Sequence, residues 1–280
     1  MTRTKEGEEE MDPIYRVGND VHVLPSSLPI PGVGTLVVNA YVILAREPVL
    51  VDTGLAMDGD EFEHALRSIV DPADIRWIWL THDDADHTGN LERVMSLAPA
   101  ARLLTHGLGA LRMSTWWPVP LDRVSALQPG DRIDVGDRYL RGVRPPLFDN
   151  PMTTGLLDER TGAMYTADTF GALLPSVPEN CDDVSEADLV DGIVGWAAFD
   201  SPWTQLVDHD RFRAAADEVA RLQPTTIFSS HLPSASGRMT RQLVEVIASV
   251  PARPPFVPPD HAAFASIFAA LGAAAAAPPA

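Results

Sequence analysis

Apolar residues recur along this chain at two spacings, and each spacing predicts a different element. Val21-His22-Val23-Leu24 opens the structured part, and Pro25 to Gly34 reads as a turn-rich loop. Thr35 to Leu44 and Pro48 to Asp52 are strand candidates separated by the polar turn Ala45-Arg46-Glu47, which predicts an antiparallel hairpin. Asp60 is placed to cap a helix that carries Phe62, Ala65, Leu66, Ile69 and Val70 at helical spacing, and Asp71-Pro72 ends it. Ile75 and Trp77 to Leu80 form a buried strand; Leu91, Val94, Met95 and Ala98 mark a second helix. A short strand at Arg102 to Thr105 and a helix at Leu108 to Met113 follow. From Asp131 to Val143 and from Thr154 to Thr166 the pattern turns to strands with tight turns at Gly136-Asp137 and Arg160-Thr161-Gly162, so a second sheet is expected. Arg211 to Leu222 turns Phe212, Ala215, Ala216, Val219 and Leu222 to one face, and Thr225 to Ser229 is a last strand just before His231. Two similar runs of strands then helices predict an α/β protein built as a four-layer αββα sandwich, two sheets inside and helices outside.

Composition changes this picture mainly at the ends. Residues 1–13 read as a disordered acidic leader, 14–250 as one domain, and 251–280 as a Pro/Ala-rich tail: five of the nine residues from Pro251 to Pro259 are proline, and the alanines from Ala262 to Ala277 suit a helix. Gly171 to Asp208 is long, acidic and weakly periodic, yet holds Trp196, Phe199 and Trp203, so it is expected to form a partly helical lid, with Trp116 and Trp117 as an opposite wall. A net charge of -18 repels phosphates and anionic lipid, which argues against nucleic acid and membrane partners and in favour of a small-molecule substrate or a protein partner. No apolar run reaches membrane-spanning length, and Cys181 alone cannot form an internal disulfide; together these predict a cytoplasmic location. A homo-oligomer stays open.

The candidate chemistry is concentrated in His82-Asp83-Asp84-Ala85-Asp86-His87, two imidazoles and three carboxylates placed directly after an apolar strand. Such density is costly unless a metal collects it. His82, Asp84 and Asp86 alternate and would converge if the segment were extended. Nitrogen and oxygen donors without sulfur suit iron, zinc or manganese. The competing reading is a solvated acidic loop ahead of a helix that starts near Gly89. His231 ends a strand as a ligand would, and Asp168 fits either a ligand or a turn. His22, His64, His106, His209 and His261 lack an acidic cluster nearby and are expected on the surface or in packing.

The order Asp52-Thr53-Gly54, His82 to His87, Asp168 and Ser230-His231 resembles the metallo-β-lactamase fold superfamily. Within it, a carboxylate at Asp84 in place of the usual second histidine, and the segment Tyr165-Thr166-Ala167-Asp168-Thr169-Phe170-Gly171, resemble the di-iron domain of flavodiiron proteins and oxygen-binding di-iron proteins. That resemblance implies His82 and Asp84 on a first metal, Asp86, His87 and His231 on a second, and Asp168 bridging, with Asp86 and His87 as catalytic residues. One expected histidine is replaced by Phe148, which cannot coordinate, so the first position is weakened or empty unless Asp149 or Asn150 supplies an oxygen; Asp149 is the replacement expected, since a hard carboxylate can substitute for imidazole on iron or manganese. It further implies one or two irons per chain, with zinc or manganese as alternatives, and binding or activation of oxygen. No FMN phosphate loop is visible, so electrons would come from an external donor protein or another subunit. Two other readings stay open: hydrolysis of an ester, thioester or lactone by metal-bound hydroxide that Asp86 orients, and a non-catalytic oxygen or metal sensor.

Overall fold

A computed structural model describes residues 11–30, 33–178 and 180–275. The chain enters through β1 (Tyr15–Val17), β2 (Val21–Ile30), β3 (Gly34–Ile43) and β4 (Val49–Val51), followed by α1 (Gly59–Ile69) and β5 (Trp77–Trp79). A one-turn helix α2 (Ala85–Thr88), α3 (Leu91–Leu97), β6 (Arg102–Thr105), α4 (Gly107–Met113) and β7 (Val124–Ala126) complete the first half. The second half holds β8 (Arg132–Asp134), β9 (Tyr139–Val143), β10 (Gly155–Asp158), β11 (Ala163–Tyr165), β12 (Leu173–Leu174) and α5 (Glu186–Asp200). It closes with α6 (His209–Leu222), β13 (Thr226–Phe228), β14 (Ala235–Ser236), α7 (Arg238–Ser249) and α8 (His261–Ala275). One sheet runs in the order β1 to β7, with β12 added to β3; the other runs β14-β13-β11-β10-β9-β8.

The expected four layers follow from the alternation of side chains along each strand. In β4, Val49 and Val51 join Trp79 and Leu104 in the core between the sheets, whereas Leu50 turns outward with Ile78 and Leu103 onto Phe62, Leu66 and Val94 of the helices. The second sheet repeats this: Leu156, Tyr165 and Phe228 face inward, and Leu157, Met164 and Ile227 face Ile193 of α5, Phe212 of α6 and Leu243 of α7. The inner layer is joined by aromatic contact, with the Tyr41 ring 5.2 Å from those of both Tyr165 and Phe228.

Three local expectations are corrected. Pro25 to Ile30 is strand, not loop, because β2 pairs with β3 along its whole length; β1 leaves its other edge free beyond Val23, where a proline's missing N–H costs no ladder bond. Asp58, not Asp60, stands at the start of α1; Asp58 accepts a hydrogen bond from Ser26, and Asp60 pairs with Arg93 at 2.7 Å. The motif is not extended throughout, since Asp86 and His87 lie on α2. The expected lid is helical over α5, and the alanine-rich tail is helical over α8. The leader as far as residue 10 lies outside the described residues. No helix among the described residues is long and apolar enough to cross a membrane.

Candidate metal centre

Parallel pairing decides where the polar residues meet. β4 runs parallel to β5, and β11 parallel to β13, so the segments leaving these strands emerge at matching ends of their sheets. Asp52 follows β4, His82 follows β5, Asp168 follows β11 and His231 follows β13. Short links then hold them in place. The loop with His231 is tied to β3: Asn39 N–H donates to Ser230 O at 2.8 Å, the Asn39 amide to Ser229 O and Leu232 O at 3.1 and 3.0 Å, and Tyr41 Oη to Ser229 O at 2.6 Å. Trp196, on α5, lays its ring 4.6 Å from that of His231 and donates its indole N–H to Asp168 O at 3.2 Å.

Asp168 is the centre of the cluster. Its Oδ2 lies 3.1 Å from His82 Nε2, and its Oδ1 lies 3.0 Å from His87 Nε2 and 3.1 Å from His231 Nε2. Asp86 Oδ2 stands 3.7 and 3.5 Å from the Nε2 atoms of His87 and His231. Donor atoms of three trios each lie within 4.8 Å of one another: His82, His87 and Asp168; Asp86, His87 and His231; His82, Asp84 and Asp149. The seven residues singled out in the sequence thus come together. Phe148 does not join them: its ring packs 5.2 Å from Trp203, and its carbonyl accepts the Trp203 indole N–H at 2.7 Å. His106 is elsewhere too, accepting the Leu108 N–H at the start of α4.

The partners of the far ring nitrogens show what the near ones are for. His231 Nδ1 lies 2.7 Å from the carbonyl of Val37, and His87 Nδ1 lies 2.9 Å from Asp52 Oδ2. Both partners only accept, so each Nδ1 carries the proton, and in the neutral ring each Nε2 turns a lone pair towards the Asp168 carboxylate. Lone pair against carboxylate is repulsive unless a positive charge stands between them. The donor set therefore fits a metal cation: buried imidazoles with oriented outer nitrogens, converging on a carboxylate, are how such ions are held. Protons are the alternative cation. Burial opposes charge on His82, but Asp168 outweighs it and raises the imidazole above its usual range. At His87 burial is again opposed, here by Asp86, Asp168 and Asp52, and the pKa rises well above the ordinary value. Burial would raise Asp168, yet His82 and His87 hold it well below the usual carboxylate range. Asp86 is likewise lowered, by His87 and His231 against the effect of burial. Burial, with Asp168 and Asp149 adding, pushes Asp200 up to about 7.

Asp52 is the functional residue that pattern reading left out of the site. It accepts hydrogen bonds from Thr81 N–H at 2.8 Å and Thr81 Oγ1 at 2.9 Å as well as from His87, so it orients the motif from behind. Its place in Asp52-Thr53-Gly54, a buried polar cluster ending a strand, was the available signal. Backbone strain marks the same region. Among the described residues, four non-glycine residues have positive φ, and Asp52 (57°), Ala167 (49°) and Phe170 (71°) flank or form the site. Gly171 completes the turn: a Cβ there would meet Trp196 Nε1 at 2.6 Å and His231 Cβ at 2.8 Å.

Comparison with known proteins gives the family and the fold. The family model described as the metallo-beta-lactamase superfamily matches residues 33–231. A putative diflavin flavoprotein A 2 from Nostoc sp. is 31% identical over 48% of this chain and 23% of its own length. The flavo-diiron protein FprA2 of Clostridium acetobutylicum is 26% identical over 48% of this chain and 34% of its own. The chain thus matches about a quarter to a third of these relatives' length. Among solved structures, rubredoxin oxygen:oxidoreductase from Desulfovibrio gigas superposes with a TM-score of 0.75 at 18% identity, covering 87% of this chain and 62% of that one.

Proposed function

The chain belongs to the metallo-β-lactamase superfamily, and on that premise we propose that it is a flavodiiron-like, non-haem iron protein that binds and reduces oxygen or a similar small oxidant. The observation that carries this reading is the donor set: three imidazoles share the cluster with Asp84, Asp86, Asp149 and Asp168. Such a carboxylate-rich set suits iron or manganese over a metal that prefers imidazole and thiolate. The names of the relatives, a flavo-diiron protein and an oxygen:oxidoreductase, support the same choice.

His82, Asp84 and Asp149 would hold a first iron, Asp86, His87 and His231 a second, and Asp168 would serve both. Bound ferrous iron supplies the electrons that a small oxidant takes up at such a site. The chain's own residues orient and enclose. Asp52 and the Val37 carbonyl fix the tautomers of His87 and His231. Trp196 shields the His231 side from water.

Elemental analysis of protein purified anaerobically without added metal tests the metal, and about two irons per chain is the expected result. The reduced protein then consumes oxygen with a change in visible absorption, and His231→Ala abolishes both. A colourless, air-indifferent protein would refute this reading. Zinc-loaded protein that cleaves a generic ester, with the activity lost in Asp86→Ala, would replace it by hydrolysis.

A further inference from the structure

Asp84 is held on both sides. Its Oδ2 faces the cluster, 4.0 Å from His82 Nε2, while its Oδ1 lies 3.2 Å from Arg112 Nη2. Arg112 itself is anchored: its Nε and Nη2 fork onto the two oxygens of Asp83, with Nη2 to Oδ1 at 2.6 Å. The Asp83 side chain is fully buried. Arg112 stands in the last turn of α4, whose Met113 is buried in the helix-side core of the first sheet. A cation anchored on Asp83 therefore occupies one oxygen of a carboxylate whose other oxygen faces the cluster of donor atoms.

We infer that Arg112 is a positioning residue for the first metal position, holding Asp84 so that a single oxygen is presented beside His82 and Asp149. The inference rests on the two-position reading above. The Asp84 side chain is 43% exposed and borders an open cavity of about 500 Å³ lined by Asp83, Ala85, Thr88, Arg112 and Trp116. Among the described residues lining that cavity, Arg112 is the one whose side chain donates a hydrogen bond to the Asp84 carboxylate. An aspartate is also short, so a small rotation takes its oxygen out of reach. A planar guanidinium bonds two carboxylates at fixed angles, which a lysine ammonium, as a single point charge, does not reproduce.

The test is titration of the metal-free chain with Co(II), following visible absorption and bound metal per chain, in wild type, Arg112→Lys, Asp84→Asn and the double variant. The position that survives in His231→Ala is taken as the first. Wild type is expected to bind two Co(II). Arg112→Lys, which can still pair with Asp83, is expected to weaken the first position by roughly 10–100-fold, as loss of an outer partner typically does, and to leave the second unchanged. Asp84→Asn combined with Arg112→Lys should be no weaker than Asp84→Asn alone, because Arg112 acts through that carboxylate. Unchanged or tighter first-site binding in Arg112→Lys, equal weakening of both positions, or additive losses in the double variant would each overturn the role of Arg112 while leaving the two-position reading intact. A wild-type chain that binds fewer than two Co(II) would overturn both. If Arg112→Lys fails to fold, Asp83→Asn with Arg112→Gln keeps a neutral pair in place and faces the same criteria.

Discussion

Replacing Asp52 by asparagine keeps the shape of the side chain while removing its charge and turning one acceptor into a donor, so it tests the claim that Asp52 sets the His87 tautomer. The wild-type carboxylate is buried and accepts from Thr81 N–H, Thr81 Oγ1 and His87 Nδ1 at 2.8, 2.9 and 2.9 Å. Asparagine keeps one oxygen for the Thr81 N–H and puts an NH2 where the other oxygen stood. The Thr81 hydroxyl can turn and accept. His87 can accept only by moving its proton from Nδ1 to Nε2, the atom that lies 3.0 Å from Asp168. That removes the lone pair a metal needs. The backbone is not further strained, since asparagine tolerates the left-handed region in which Asp52 sits. Loss of one charged hydrogen bond should lower the stability of the metal-free protein by about 1.5–3 kcal/mol. Affinity at the Asp86, His87 and His231 position should fall roughly 10–100-fold, which is about 1.4–2.7 kcal/mol at 1.36 kcal/mol per decade. Chelator competition with Co(II) measures the second quantity, and urea unfolding of the metal-free protein the first. Asp52→Asn that binds Co(II) as tightly as wild type would refute the tautomer argument outright.

The metal-free protein should lose stability as pH rises above 6.5, because His82 and His87 have raised folded-state values; their contribution is complete below the unfolded value and disappears as pH climbs through the folded one. Asp200, raised from its ordinary 3.8 to about 7, adds a loss of the same sign at lower pH, its contribution disappearing between those two values. Metal affinity should rise over the same range as these imidazoles release their protons, and urea midpoints that increase with pH in the metal-free protein would contradict both statements. Gly171→Ala should cost about 1–3 kcal/mol through overpacking and shift tryptophan emission, since its methyl group would collide with the Trp196 indole; native stability and an unchanged spectrum would count against the close approach. Phe148→His should leave bound Co(II) per chain unchanged, because the new ring takes its place against Trp203 and not in the cluster; a gain of one metal would show that position 148 reaches the site.

Much of the fold was legible because alternation is a local property. Val49, Leu50 and Val51 announce two buried faces in three residues, and no other part of the chain has to be known to read them. Proline misled at Pro25 and Pro29, since the cost of a missing N–H depends on whether a neighbouring strand needs it, and that is decided by where β1 stops. Asp60 misled for a similar reason: good capping chemistry at one position does not reveal that Asp58 is drawn to Ser26 from another strand.

The candidate site divides along the same line. Sequence alone determined the supply of donors: a His/Asp-rich segment after a buried strand, with Asp168 and His231 after later ones, is chemistry that needs no geometry to be noticed. Tertiary structure alone decided which nitrogen of the His87 and His231 rings faces the centre, because that choice belongs to Asp52 and to the Val37 carbonyl, 35 and 194 residues away along the chain. It also decided that Phe148 turns to Trp203 while its neighbour Asp149 turns to His82 and Asp84. Orientation is set by contacts between strands and loops distant in sequence, and a pattern of residue types carries no record of them.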